Sequence, residues 1–241
     1  MQRSNLEDEF ERIAKARHHD PFSVLGKHRD QDLDLVRVFI PQANDVQIAE
    51  GNIKLERIHD TDLFEWRGTP GTVPDHYHLL WIDAEQHEHI AHDPYSFPPQ
   101  IPDFDLHLFS EGRHRHAYRF LGAHVHAVEE VTGILFAVWA PNAERVSVVG
   151  EFNQWDGRRH PMRVRGGSGV WELFIPGLEA GTLYKYEIRN RDSGEILLKS
   201  DPYAQSFEVR PRTASITTGP VVYVWNDQTW MEQRASRDWQ H

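Results

Sequence analysis

The chain has 241 residues, 39% of them hydrophobic and 26% charged, at a mean hydropathy of −0.63; this is a globular balance with room for one large domain or two small ones. Its 26 basic residues against 37 acidic ones give a net charge of −11, which argues against nucleic acid and anionic membrane as partners. The longest apolar run, Ile134 to Ala140, falls far short of the ~20 residues of a membrane span; the N-terminus has no apolar signal segment, and the lack of cysteine excludes disulfides and thiolate metal sites.

Residues 4–18 read as a short helix, with Leu6, Phe10, Ile13 and Arg17 on one face and Ser4 and Glu7 spaced as a capping box. Pro21 ends it. The helical period then disappears. Leu35 to Ile40, Val46 to Ile48, Leu63 to Trp66 and His76 to Ile82 read as strands, and Pro94 to Pro102, with four prolines, reads as a boundary. The same grammar resumes in Leu135–Trp139, Val146–Val149, Val170–Ile175, Leu183–Ile188 and Glu195–Lys199. Short strands about ten residues apart, separated by Gly, Pro and Asn turns, indicate an all-β sandwich architecture.

The two halves repeat each other. Leu25-Gly26 returns as Leu121-Gly122, Pro41-x-Ala43-x-x-Val46 as Pro141-x-Ala143-x-x-Val146, Tyr77 as Tyr184, and Asp93-Pro94-Tyr95 as Asp201-Pro202-Tyr203. Order is kept and the offset grows slowly from 96 to 108, as a duplication with insertions requires. Two tandem β-sandwiches of about 100 residues each are expected.

Few residues suggest catalysis. The 16 histidines invite a metal, but His87-Glu88-His89-Ile90-Ala91 puts alanine where H-E-x-x-H needs its second histidine; no metal and no cofactor are expected. Gly166-Gly167-Ser168-Gly169 opens no helix and reads as a hairpin turn. Asp93 and Asp201, each before Pro-Tyr, read as turn-forming residues. Among the 8 tryptophans, Trp66, Trp81, Trp139 and Trp171 lie within apolar strands and are expected in cores. Trp155 differs. It sits in Gly150-Glu151-Phe152-Asn153-Gln154-Trp155-Asp156, turn-forming text after a strand. An indole face presented there, beside amide and acidic groups, suits the C–H face of a pyranose; burying some 60–80 Å² of it contributes roughly 2 kcal/mol.

Phe136 to Ala143, Val146 to Trp155 and Tyr184-Lys185-Tyr186-Glu187 together resemble the family-48 carbohydrate-binding module, an immunoglobulin-like sandwich. His18-His19-Asp20-Pro21-Phe22-x-x-Leu25-Gly26-x-His28, the junction Asp105 to Gly112, and the tail Val224-Trp225-x-Asp227-x-x-Trp230-Met231-x-x-Arg234 resemble the N-terminal part of bacterial 1,4-α-glucan branching enzymes.

The resemblance implies a short N-terminal helix (1–17), a leading immunoglobulin-like sandwich (18–105), the binding module (106–225) and a connection (226–241) toward a catalytic barrel that the chain does not reach. It further implies that Trp155 stacks on glucose and Lys185 donates to hydroxyls, with Asn153 a polar partner in the same turn. The glycan-binding kinase modules of this family carry a second tryptophan in the next hairpin, whereas Arg189 to Glu195 here has no aromatic residue. The expected function is a cytoplasmic, non-catalytic accessory region that holds α-glucan for the barrel. A docking module without glycan affinity is the main alternative, and a free-standing glycogen-targeting adaptor the third.

Overall fold

A computed structural model describes residues 2–219 and 225–234; residues 220–224, at the end of the expected binding module, and residues 235–241, in the expected connection, lie outside the described residues. Helix α1 (Gln2–Ala14) begins two residues ahead of Ser4, and it stops at Ala14, two residues before Ala16 takes a left-handed φ of 48°. Eight strands follow: β1 (Gly26–Asp30), β2 (Leu33–Phe39), β3 (Asp45–Ile48), β4 (Ile53–Lys54), β5 (Glu56–Arg57), β6 (Leu63–Gly68), β7 (His78–Ile82) and β8 (Glu88–His92). After α2 (Asp103–Ser110) come β9 (Gly122–Val128), β10 (Val131–Trp139), β11 (Ala143–Gly150), β12 (Arg163–Val164), β13 (Val170–Pro176), β14 (Leu183–Asn190), β15 (Ile196–Lys199), β16 (Ser206–Phe207) and β17 (Ser215–Ile216); α3 (Gln228–Arg234) lies near the end.

The strands form four antiparallel sheets. In the first half they are ordered β1-β2-β6-β5 and β4-β3-β7-β8; in the second, β12-β13-β10-β9 and β11-β14-β17-β16, with β15 also on β14. The fold is all-β, as the pattern of short alternating runs indicated. Val36, Val38, Val46, Ile48, Phe64 and Tyr77 fill the core between the first pair of sheets. Phe136, Val146, Val148, Trp171, Tyr184 and Tyr186 fill the second. Ile13 of α1, with Phe39, Leu63 and Tyr95, packs against the second core from the first half. Strand β2 is therefore covered on both faces, and its apolar run is interrupted only by Asp34 and Arg37, both buried. Sequence reading missed the two-residue strands β4, β5, β12, β16 and β17, too short to show a period, and three longer strands, β1, β8 and β9, which are sheet edges carrying His, Lys, Arg and Glu.

The duplication is built into the contacts. Tyr77 donates to the Asp93 carboxylate at 2.5 Å and Tyr184 to that of Asp201 at 2.6 Å, and each aspartate accepts the amide of the tyrosine two residues on, Tyr95 at 3.0 Å and Tyr203 at 2.8 Å. Both aspartates are thus Asx-turn formers. The His28 ring meets the Leu25 carbonyl at 3.0 Å, and His124 that of Leu121 at 2.9 Å. Gly26 and Gly122 have left-handed φ angles of 90° and 110° and lie against Tyr95 and Tyr203 respectively. A Cβ at Gly26 would run into the Tyr95 carbonyl. Gly26→Ala, combining that clash with a disfavoured φ, is expected to destabilise the chain by about 2 kcal/mol in urea unfolding.

The motif from His18 to Phe22 joins the halves. His18 is buried against Glu9, the His19 carbonyl accepts the Val164 amide at 3.1 Å, and Phe22 meets Tyr95 edge-on while lying under the Arg163 guanidinium at 3.3 Å. The proline-rich boundary is likewise packed down, with Phe97 and Ile101 buried. Among the tryptophans, Trp171 is buried and Trp66 and Trp81 half-buried against the first core. Trp139 is not in a core. It is 54% exposed at the end of β10, on the face opposite the core residues Phe136 and Val138, its indole N–H bonded to the Ser168 carbonyl and its ring edge-on to Phe109.

Candidate functional site

Strand β11 ends at Gly150, and the chain turns sharply through a single 3-10 turn, Glu151 to Asn153. Gln154 and Trp155 then both take a left-handed φ of 59°. For a bulky aromatic residue this conformation is rare and costs of the order of 1–3 kcal/mol, so it persists only where the surroundings impose it. Three backbone bonds do so: Gln154 N–H to Glu151, Trp155 N–H to Gly150 at 2.9 Å, and Asp156 N–H to Asn153. The Trp155 side chain is 38% exposed as a result.

The side chain at the centre of this turn is Asn153, only 2% exposed. Its Oδ1 accepts the Gly150 amide at 2.9 Å, and its Nδ2 donates to the Val148 carbonyl and to His160 Nδ1, each at 2.9 Å. Every polar atom of Asn153 is engaged inside the protein. The expected sugar partner instead holds the turn together. Asp156 closes the other side: although burial raises its carboxyl, the Arg158 side chain and amide hold it below the ordinary carboxylate range. Burial, with the neighbouring Arg159 charge, pushes the His160 imidazole down to about 4. His160 is therefore neutral near pH 7, and its Nδ1 is an acceptor.

Lys185 lies on β14 opposite Val149 of β11, so it stands at the same end of this strand pair as Trp155. Tyr184 and Tyr186 point into the core, which puts Lys185, Glu187 and Arg189 on the outer face. Lys185 Nζ is partly exposed and donates to Thr213 Oγ1 at 2.8 Å. Strand β15 adds Ile196 and Leu198, both exposed, opposite Arg189 and Glu187. The turn is anchored to this face by Ser147 Oγ, which donates to the Gly157 carbonyl at 2.6 Å, and by the buried Arg145–Glu187 pair at 2.7 Å. The register thus puts an exposed indole and an amine at one end of the β11–β14 pair, and two exposed aliphatic side chains on the same outer face of β15. Such a surface offers stacking and hydrogen bonding to a neutral polyhydroxy ligand.

Sequence reading found Trp155 by its turn-forming neighbours and by resemblance, and Lys185 by resemblance; it missed His160, which meets Asn153 across an irregular turn that belongs to no helix or strand. Among the described residues, no group of three or more His, Asp or Glu side chains is arranged to hold a metal, and no helix is long and apolar enough to cross a membrane.

Residues 6–95 match the N-terminal domain of the alpha-1,4-glucan branching enzyme GlgB, and residues 120–204 match carbohydrate-binding module 48, the isoamylase N-terminal domain. The 1,4-alpha-glucan branching enzyme GlgB of Methylococcus capsulatus is 58% identical over 238 residues, covering 99% of this chain and 32% of that enzyme. The corresponding enzymes of Cellvibrio japonicus and Nitrosococcus oceani are 51% and 52% identical, each over 99% of this chain and 34% and 32% of their own lengths. The chain spans about a third of the length of these relatives.

Proposed function

The chain belongs to the α-1,4-glucan branching-enzyme family, whose N-terminal domain it carries together with a family-48 carbohydrate-binding module, and from this premise we propose that it holds α-glucan chains on the Trp155 surface for a branching reaction. The glucosyl transfer itself belongs to the part of the longer enzymes that this chain does not match. The residues assigned to the sugar are Trp155 as the stacking platform and Lys185 as a hydroxyl donor, with Asn153 acting through the turn. Residues 18–105 and 106–225 are taken as the two functional units, and the cytoplasm, where a cysteine-free chain is at no disadvantage, as the place of work.

The observation that carries this reading is the tryptophan held out of the core in a left-handed backbone conformation. A structure that maintains such strain at an exposed aromatic position uses that position. One platform gives weak affinity, of millimolar order once association costs are included. A polysaccharide with many equivalent chains raises the effective concentration, so retention on glycogen is still expected. Native electrophoresis through gels containing glycogen tests this. The chain should be retarded, and Trp155→Ala should weaken retention at least tenfold while leaving the thermal midpoint nearly unchanged. Migration unaffected by glycogen would reject the reading.

A second reading is supported by the exposed apolar residues Ile196, Leu198, Val209, Trp230 and Met231, which suit a docking surface for a catalytic barrel. Concentration-dependent sedimentation of the chain, without glycogen retention, would favour that role over the first.

A further inference from the structure

We infer that His160 is the positioning residue of the glucan platform: its Nδ1 lone pair fixes the Asn153 amide, and through Asn153 it fixes the turn that projects Trp155. This inference rests on the proposed glucan-holding role and deepens it.

The geometry leaves Asn153 one way to satisfy its side chain. The Gly150 amide needs Asn153 Oδ1, so the NH₂ group must face inward, where the Val148 carbonyl takes one proton and His160 Nδ1 the other. Only a neutral imidazole with its proton on Nε2 can accept there. A protonated His160 would turn a donor toward a donor, and Asn153 would have to give up a bond that holds Gly150 or Val148. The strained φ of Gln154 and Trp155 then loses its support, and the indole leaves the conformation that presents it. The ring is held in place by Phe152, 5.5 Å away, and by its backbone, since the His160 carbonyl accepts the Val148 amide at 3.1 Å.

The charged groups around His160 set the sign of its response. On its own turn, Arg159 disfavours protonation and Asp156 favours it, while Arg158 neutralises much of Asp156. Across a cavity of about 190 Å³, the first sandwich presents His92, Asp93 and Tyr95. Burial holds His92 below the ordinary histidine value and raises Asp93 to about 6. Asp93 therefore titrates well above the range in which His160 does, and the two events separate along the pH axis.

The experiment uses the chain with three substitutions and glycogen as the probe. His160→Ala removes the acceptor. His160→Asn places an amide oxygen where Nδ1 stands and cannot be protonated. At pH 7 His160→Ala is expected to weaken glycogen retention about tenfold, by lowering the fraction of chains that present the platform, and His160→Asn to restore it to within about twofold of the parent. The parent should show an acid limb in retention near pH 4 that His160→Asn lacks. Nitrogen NMR should report a neutral His160 with its proton on Nε2. The Trp155 indole N–H resonance, identified by its loss in Trp155→Ala, should shift in His160→Ala and not in His160→Asn.

A folded His160→Ala with parental retention and an unmoved indole resonance overturns the inference, as does an acid limb shared by the parent and His160→Asn. If His160→Ala does not fold, the His160 tautomer and the acid limb of His160→Asn decide. If the parent itself fails to bind glycogen, the glucan reading fails, and the indole resonance alone decides whether His160 positions Trp155.

Discussion

Glu172→Ala is expected to destabilise the chain by about 3–5 kcal/mol, a large share of the roughly 5–15 kcal/mol that holds an ordinary domain folded. Glu172 lies on β13 and is only 1% exposed. Its carboxylate accepts the amides of Ile101 at 2.9 Å and Gln100 at 3.2 Å, pairs with Arg165 at 3.0 Å, and faces Arg163 at 3.6 Å. Those two amides belong to the proline-rich segment between the sandwiches. Arg163 in turn caps Phe22 and donates to the Phe97 carbonyl at 2.7 Å, and burial pulls its guanidinium down to about 10 despite the nearby Glu172 charge. One carboxylate therefore neutralises two buried cations and pins the interdomain segment to the second sandwich. Removing it leaves Arg163 without its carboxylate partner and Arg165 with only the exposed Asp103, and the cost of an uncompensated buried charge exceeds the loss of the hydrogen bonds themselves. Calorimetry should show the midpoint falling by roughly 10 °C, whereas Glu172→Gln, which keeps an acceptor but not the charge, should fall between the two. A change below about 1 kcal/mol for Glu172→Ala would show that the cations find water instead.

None of that network was legible in the sequence, for a physical reason. Glu172 sits in Val170-Trp171-Glu172-Leu173-Phe174-Ile175, where alternation predicts a solvated side chain on the outer face of a strand. The prediction fails because residues 97–103 cover that face, and a covering segment leaves no periodic mark on the strand it covers. Trp139 was misplaced in the opposite direction: an apolar strand implies a core, but Ile134, Phe136 and Val138 face that core and Trp139 falls on the other side of β10. What the pattern conveyed well was local. Strand positions, the Asx character of Asp93 and Asp201, and the repeat of Tyr77 and Tyr184 follow from backbone chemistry within a few residues, and the structure pairs them as the duplication implied.

The candidate site divides along the same line. Trp155 could be singled out because a tryptophan among turn formers is conspicuous, and Lys185 because the Tyr-Lys-Tyr strand has a family likeness. Asn153 was assigned to the ligand on the strength of its neighbourhood alone. Its burial reverses the argument: an amide that spends every polar atom on the turn serves the site by shaping it. Outward-facing residues meet ligand and buried ones set geometry, and that distinction depends on three-dimensional cover.

Asp93 provides the second large effect, read as a pH dependence. Burial raises its carboxyl from an ordinary value near 4 to about 6, against the opposing bonds from the Tyr77 hydroxyl and the Tyr95 amide. The native state thus binds a proton that the unfolded chain has already released, and stability falls as pH rises between about 4 and 6. The shift corresponds to about 3 kcal/mol of stability that is fully present below pH 4 and gone above pH 6. His160, with its value lowered to about 4, works in the opposite sense, gaining stability as pH rises toward 6.5. The parent's own pH profile therefore hides both, and the test must be a difference. Asp93→Asn reproduces the protonated form: its Nδ2 can donate to the Tyr77 oxygen while its Oδ1 accepts the Tyr95 amide. Urea unfolding of the parent and of Asp93→Asn, compared from pH 4 to pH 7, should show the variant gaining about 3 kcal/mol relative to the parent across that interval, and it should equal or exceed the parent in stability at pH 7. A difference that stays flat with pH would mean that Asp93 keeps an ordinary ionisation in the folded chain, with its charge stabilised by the Tyr77 and Tyr95 bonds to a degree that cancels the burial.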